Sequence, residues 1–340
     1  MTSEAVPGLD LGALGEWFAD RIPGAGSRLA ASLVAGGKSN LTYVVTDGRR
    51  EWVVRRPPLG HVLATAHDMA REYRVMSALR DTGVPVPRTY AMCTDLDVVG
   101  AEFYVMERCP GTPYRRAAEL AELGEQRTRV ISERLVDTLA ALHAVDPESV
   151  GLGDFGHPEG FLARQVGRWK KQLDASYSRD LPAADELYRL LVARVPTEAA
   201  AGIVHGDFRL DNVLVDGADR VTAVLDWEMA TLGDPLTDLA LMLVYSRLSA
   251  AGVDSVSDVA TAPGFLSEGE VIERYSRGSE RDLSGFGFYL GLAAFKLAAI
   301  LEGIHYRFLH GQTVGEGFAG VGAAIHPLVD AGLDALKENH

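Results

Sequence analysis

The stretch from Ile203 to Ala240, IVHGDFRLDNVLVDGADRVTAVLDWEMATLGDPLTDLA, limits more than any other what this chain can fold into. An apolar lead runs into His205-Gly206-Asp207, and Asn212 stands five positions after that Asp. A β-branched run, Val213-Leu214-Val215, turns through Asp216-Gly217-Ala218-Asp219 into a second run, Val221 to Leu225, that ends at Asp226. Two short β-branched runs around an Asp/Gly-rich turn predict a hairpin. Closing it would bring Asn212 and Asp226 side by side, with Asp207 just ahead. Two carboxylates and an amide oxygen at a strand mouth suit a hard, oxygen-preferring cation such as Mg2+, which keeps waters and bridges substrate phosphates.

The order H-x-D-x-x-x-x-N, a hairpin and then an Asp resembles the catalytic loop and metal-binding Asp of kinases. By that resemblance Asp207 takes the proton of a substrate hydroxyl, and Asn212 and Asp226 hold Mg2+ against the phosphates of ATP. Arg209 falls where protein kinases carry a Lys near the transferred phosphate. With the later Gly233-Asp234-Pro235-x-x-Asp238, the block HGDFRLDNVLV and LDWEMATLGDPLTDLA resembles the aminoglycoside phosphotransferase (choline-kinase-like) family of small-molecule kinases. Within that family it is most similar to the kinase-like domains related to those found with some acyl-CoA dehydrogenases. The resemblance runs from about Leu33 to about Gly311.

That resemblance implies an α+β, protein-kinase-like fold of two lobes. Residues 1–107 would form a nucleotide-binding lobe with a small antiparallel sheet and one main helix. Residues 108–340 would form a larger, mostly helical lobe with the catalytic and substrate-binding residues. His205, Asp234 and Asp238 would be supporting residues, Asp238 opening a helix and accepting backbone N–H bonds from the catalytic loop.

Towards the N-terminus, Leu33 to Val45 reads strand, glycine turn, strand. Gly36, Gly37, Lys38, Ser39 and Asn40 are the candidate phosphate-covering loop; a plain hairpin turn is the alternative. Gly37-Lys38-Ser39 mimics the end of a Walker A loop, but Ser32 stands where that motif needs its first Gly, and a strand follows instead of a helix. Glu51 to Arg56 reads as the third strand. Val53 and Arg55 share one face by alternation, so Arg55 is the candidate for the basic position that kinases fill with Lys, with Arg56 as the second choice. The next helix, about Thr65 to Thr82, carries Glu72 beside its apolar stripe, placed either to reach Arg55 or to face water. Tyr104 to Gly111 is similar to a kinase hinge, in which the Glu107 carbonyl and Cys109 N–H meet the adenine edge and Met106 guards the space behind it.

Further on, His143 ends a helical seam, where packing is its expected role and substrate contact the alternative. The helix Leu162 to Leu173 is basic, with Arg164, Arg168, Lys170 and Lys171 around Trp169, and faces either water or an anion. The last strong helix, Phe286 to Leu309, gathers Glu302, His305, Tyr306 and Arg307 near its end. Small-molecule kinases build acceptor sites from C-terminal helices, which makes Glu302, His305 and Tyr306 candidates for substrate contact. Lys296 and Glu302 interrupt the apolar run Tyr289 to Ile304, too short a run to predict a membrane span.

Composition excludes some classes. The net charge of −14, from 47 acidic and 33 basic residues, argues against nucleic acid or an anionic membrane as the main partner. Two cysteines, Cys93 and Cys109, predict no disulfide framework and suit a reducing cytoplasm. Asp226 is followed by Trp227-Glu228, and Gly233-Asp234 arrives too soon for the long activation loop of a protein kinase. The expectation is an ATP- and Mg2+-dependent kinase of a small-molecule hydroxyl substrate, monomeric or homodimeric. Its acceptor would be a metabolite alcohol, such as a hydroxyacyl compound, or an aminoglycoside-type antibiotic. The alternative is an inactive pseudokinase that only binds nucleotide.

Overall fold

The computed structural model describes residues 6–34, 40–60, 68–197, 200–250, 257–313, 318 and 320–337. The predicted glycine loop, Gly36 to Ser39, lies outside them, as does the start of the helix expected from Thr65. The chain divides into two compact units, Met1–Pro110 with Thr222–Glu228, and Gly111–Val221 with Met229–His340.

The first unit opens with α1 (Leu11–Arg21), capped by Asp10, whose carboxylate accepts the N–H groups of Gly12 and Ala13. There follow β1 (Ala30–Leu33), β2 (Leu41–Thr46), β3 (Glu51–Arg56), α2 (Met69–Leu79), β4 (Thr89–Cys93), α3 (Leu96–Val99) and β5 (Phe103–Glu107). The five strands form one antiparallel sheet in the order β1-β2-β3-β5-β4, with Leu33 opposite Tyr43 and Arg55 opposite both Thr42 and Tyr104. Strand alternation splits β3 between two faces. Trp52 and Val54 join Leu14, Phe18, Tyr43, Phe103 and Val105 in a core beneath α1, with the Phe18 and Trp52 rings edge to face at 5.5 Å.

The second unit is mostly helical. Its elements begin with α4 (Ala117–Leu123), α5 (Glu125–His143), α6 (Phe161–Asp174), α7 (Pro182–Ala193), β6 (Gly202–Val204) and β7 (Val213–Val215). A tight turn at Asp216–Arg220 leads into β8 (Val221–Val224), and the segment Thr222–Glu228 belongs to the first unit. Asp219 holds the turn at φ +61°, with its carboxylate paired to Arg127 of α5 at 2.7 Å. Then come β9 (Thr231–Gly233), α8 (Leu236–Ala250), α9 (Glu268–Gly278), α10 (Phe286–Leu309) and α11 (Ile325–Lys337). β6 and β9 pair antiparallel, Ile203 opposite Leu232.

α10 is the axis of this unit and packs against α6, α7, α8 and α11. It is apolar nearly all round, the pattern of a helix enclosed by others. At 24 residues it exceeds the apolar run read from sequence and is long and apolar enough to cross a membrane by length and composition. Within the protein, 83% of its apolar window is buried.

Candidate active site

In the first unit the site grows out of β3. Arg55 points away from the α1 core, towards α2. Its Nε lies 3.0 Å from Glu72 Oε2, and its Nη2 lies 2.5 Å from Asp226 Oδ1. The Nε–H is not aimed along the line to Glu72, so that contact is an ion pair without an aligned hydrogen bond. Glu72 is buried, and its carboxylate also accepts from Tyr104 Oη at 2.9 Å and Asn40 Nδ2 at 3.0 Å. Burial pushes the Glu72 carboxyl up to about 7, against the opposing pull of Arg55 and the Tyr104 hydroxyl. Asn40 Nδ2 also lies 3.3 Å from Glu228 Oε2, a carboxylate that sequence reasoning left without a role. Arg56 goes the other way: buried, it donates to the carbonyls of Gly8 at 2.5 Å and Val99 at 2.7 Å. Of the two arginines, Arg56 is committed to backbone carbonyls and Arg55 to the carboxylates of Glu72 and Asp226.

Asp226 stands in the left-handed region at φ +66°, a conformation that costs a non-glycine residue about 1–3 kcal/mol and that marks functional segments. Its side chain is one-third exposed. On β5, Met106 is buried, Glu107 ends the strand opposite Trp52, and Cys109 lies just beyond. Burial pushes the Cys109 thiol up to about 12, so it is an inert apolar group at neutral pH.

In the second unit the loop after β6 carries His205 to Asn212. Gly206 takes φ +87°, and a Cβ there would lie 2.7 Å from Met229 Cβ and 2.8 Å from its carbonyl oxygen. Only glycine fits this turn. Asp238, in the first turn of α8, is buried and receives the backbone N–H groups of His205 at 2.6 Å and Gly206 at 2.7 Å. Behind it, His143 Nε2 lies 3.4 Å from Asp238 and Nδ1 lies 2.7 Å from the Tyr275 hydroxyl. Burial lowers the His143 pKa, outweighing the carboxylate beside it. His143 is thus a packing and bonding residue inside the core. Asp234 is likewise internal, accepting from Leu236 N at 3.1 Å and Tyr289 Oη at 2.6 Å.

Asp207 is partly exposed. Its backbone N–H donates to His205 Nδ1 at 3.2 Å, while Asn212 Nδ2 donates to its carbonyl at 2.9 Å and its carboxylate at 3.1 Å. Committing the Asn212 nitrogen to Asp207 leaves the amide oxygen as the atom offered elsewhere. Arg209 folds back: Nη2 lies 2.7 Å from Asp211 Oδ2, Nε lies 3.4 Å from Asp207 Oδ1, and the guanidinium lies 4.6 Å from the Tyr245 ring. The Tyr245 hydroxyl also bonds Asp207.

Sequence reasoning missed Lys296. From the middle of α10 it donates to the Gly206 carbonyl at 2.9 Å, close enough to Asp207 and Asp238 that both favour its charge, against burial. Its only signal was its place as the one cation in an apolar helical run. Glu302 corrects the substrate expectation. It is fully buried, and its carboxylate receives Ser178 N at 2.9 Å, Ser178 Oγ at 2.5 Å and Arg179 Nη2 at 3.1 Å. A charge buried among donors from its own chain is an internal tie, not a surface for substrate. Tyr306 stacks on His310 with ring centres 4.1 Å apart, and His305 lies half-buried against Gly322.

Among the described residues no group of three or more His, Cys, Asp or Glu side chains forms a metal chelate. Asp226, in the first unit, offers a carboxylate oxygen, and Asn212, in the second, an amide oxygen. Each is a ligand type suited to a hard cation that takes one or two protein oxygens and completes its shell with phosphate and water.

Comparison with known proteins agrees with this fold. A structure of a candidate aminoglycoside phosphotransferase from Ralstonia eutropha is similar at a TM-score of 0.85 and 32% identity, over 97% of this chain and 99% of that one. A thermostable mutant of aminoglycoside phosphotransferase APH(4)-Ia, solved with AMP-PNP and hygromycin B, shares the fold at a TM-score of 0.61 and 15% identity, covering 95% and 98% of the two chains. The chicken (Gallus gallus) acyl-CoA dehydrogenase family member 11 is 35% identical over 96% of this chain. The match occupies 44% of that relative, so the chain spans less than half its length. The model of the phosphotransferase enzyme family (APH) matches residues 30–279, and the chain belongs to that family, with its kinase-like fold.

Proposed function

We propose that this chain transfers the γ-phosphoryl group of ATP to a hydroxyl of a small molecule. The observation that carries the reading is the fixed catalytic loop. Asp238 holds the two peptides before Asp207, and Asn212 holds the Asp207 carboxylate from the other side. A partly exposed carboxylate fixed in this way can take the proton of an alcohol as the O–P bond forms and the bond to the leaving ADP oxygen breaks.

Phosphoryl transfer is mostly positioning and charge neutralisation. Arg55, steadied by Glu72, supplies a planar cation for the non-transferred phosphates. Gly36 to Asn40 would cover the phosphates with backbone N–H groups, and the Glu107 to Cys109 backbone would receive the adenine. Asn212 and Asp226 would hold Mg2+, which when bound neutralises phosphate charge and fixes the geometry of the leaving group.

For the acceptor, we favour a metabolite alcohol over an antibiotic. The acyl-CoA dehydrogenase relatives suggest a hydroxylated acyl compound, and the hygromycin B complex of APH(4)-Ia an aminoglycoside. The deciding experiment incubates the protein with Mg·ATP and a panel of hydroxy acids, hydroxyacyl thioesters, amino alcohols and aminoglycosides. ADP release and the phosphorus NMR signal of a new phosphate monoester are then recorded. Tight Mg·ATP binding with no monoester from any member would make the chain a nucleotide-binding module instead.

A further inference from the structure

The cations of α6 are not equivalent. Arg164 turns back to the carbonyls of His157 and Glu159, and Lys170 is paired with Asp174 and, at 3.4 Å, with Asp185. Arg168 is exposed, and among the described residues it has no carboxylate partner. Its guanidinium carbon lies 5.2 Å from the centre of the Trp169 ring. Lys296 of α10 lies 5.4 Å from the same ring, and its nearest hydrogen-bond acceptor is the Gly206 carbonyl. Trp169 itself is buried, fixed between the two helices.

Two cations thus share one indole and repel each other beside the residue that precedes Asp207. A ring quadrupole is weak compensation for the charge of Arg168. Lys296 has Asp207 and Asp238 near enough to favour its charge, whereas Arg168 has no carboxylate partner among the described residues. A polycationic acceptor would need the opposite lining.

Resting on the kinase reading above, we propose that Arg168, Lys296 and Trp169 form an oxyanion subsite that selects acceptor alcohols carrying a carboxylate or phosphate group. The anion would lie between the guanidinium and the ammonium, leaving the hydroxyl to Asp207. Aminoglycosides, which bring only positive charge, would be repelled.

The first arm of the test follows the emission of Trp169 while the full-length protein, with Mg·ADP bound, is titrated with butyrate and with butyramide. Butyrate should change the emission saturably and butyramide should not, and Trp169→Phe should remove the signal. Calorimetry should then show butyrate affinity falling about 10-fold or more in Arg168→Gln and in Lys296→Met, the loss expected of a charge-assisted hydrogen bond. Arg168→Lys should keep most of it. The second arm compares phosphorylation of 4-hydroxybutyrate, glycerol 3-phosphate, butane-1,4-diol and hygromycin B, the first two separating carboxylate from phosphate. The anionic alcohols should have the higher kcat/KM, and Arg168→Gln should raise KM for them while leaving KM for the diol and for ATP unchanged.

Equal binding of butyrate and butyramide, or a rise in KM for ATP alone, would overturn the subsite. Transfer to the diol without butyrate binding would overturn it too, and would leave the kinase reading standing. Butyrate binding as described with no transfer to any alcohol would keep the subsite and sink the kinase reading.

Discussion

Asp238 accepts the backbone N–H of Gly206 at 2.7 Å on one carboxylate oxygen, and that of His205 at 2.6 Å on the other. A side chain from α8 therefore does for this loop what a neighbouring strand does for an extended segment. It satisfies two buried donors and sets the direction in which the next residue, Asp207, leaves. The left-handed φ of Gly206 completes the turn.

Removing that carboxylate should cost stability and transfer together. Asp238→Ala leaves two N–H groups unpaired, at about 1–3 kcal/mol each. Asp238→Asn keeps one accepting oxygen and should cost about half as much. Urea unfolding of both variants gives the ordering. Equal, small losses in the two would mean that water replaces the carboxylate and that the loop does not depend on it.

His143 gives this support a pH dependence. Its folded pKa lies below the ordinary imidazole value because it is buried. The unfolded chain therefore binds the proton more readily, so the contribution of neutral His143 is complete above about pH 6.5 and is lost as pH falls towards the folded value. The slope is at most about 1.4 kcal/mol per pH unit for one proton. His143→Gln should flatten the stability profile below about pH 6.5 relative to the parent. Unchanged slopes in the two proteins would place the acid sensitivity elsewhere.

Which parts of the molecule were legible in the sequence follows from the range of the forces involved. β3, α10 and the turn at Asp216–Arg220 rest on local pattern, alternation, apolar run length and turn chemistry, and their positions follow the residues closely. The Arg55–Glu72 pair was readable because strand alternation fixes which face Arg55 takes. β6 and β9, three residues each, carry no local signal, because they exist only through their pairing with each other. Glu302 and Lys296 differ for a similar reason. Both are charges in one apolar helix, and only the loops that meet them, Ser178–Arg179 and Gly206, decide that one is an internal tie and the other meets the loop before Asp207.

Arg55 serves two carboxylates at once, Glu72 at 3.0 Å and Asp226 at 2.5 Å. A lysine is a point charge on a flexible stem and cannot span both with one rigid fork. Arg55→Ala should lower kcat/KM for ATP by about 10- to 100-fold, the equivalent of losing a charge-assisted hydrogen bond. Arg55→Lys should recover part of it. Steady-state kinetics on the acceptor found by the alcohol panel measures both. Wild-type turnover in Arg55→Ala would end its assignment to the phosphates, since Arg56 is committed to the carbonyls of Gly8 and Val99.

The two aspartates at the centre of the proposal should separate cleanly. Asp226 presents a partly exposed carboxylate from a strained backbone, as expected of a residue held in place for a ligand rather than for the fold. Asp226→Ala should therefore remove the Mg2+ dependence of nucleotide binding together with turnover. Asp207 has a different set of attachments. Asn212 and Tyr245 bond its carboxylate and Arg209 lies 3.4 Å away, all from the second unit, and in the proposed reaction it takes the proton of the alcohol. Asp207→Ala should bind Mg·ATP like the parent and lose transfer by about 10²–10⁴-fold, the range of general acid–base catalysis. Asp207→Asn keeps the size of the side chain but cannot take the proton, so it should match the alanine variant in transfer. Calorimetric titration of ATP with and without Mg2+ into each variant, beside single-turnover assays, reads both quantities. Equal loss of nucleotide binding in the Asp207 and Asp226 variants would make Asp207 a metal ligand and leave the acceptor proton to another group.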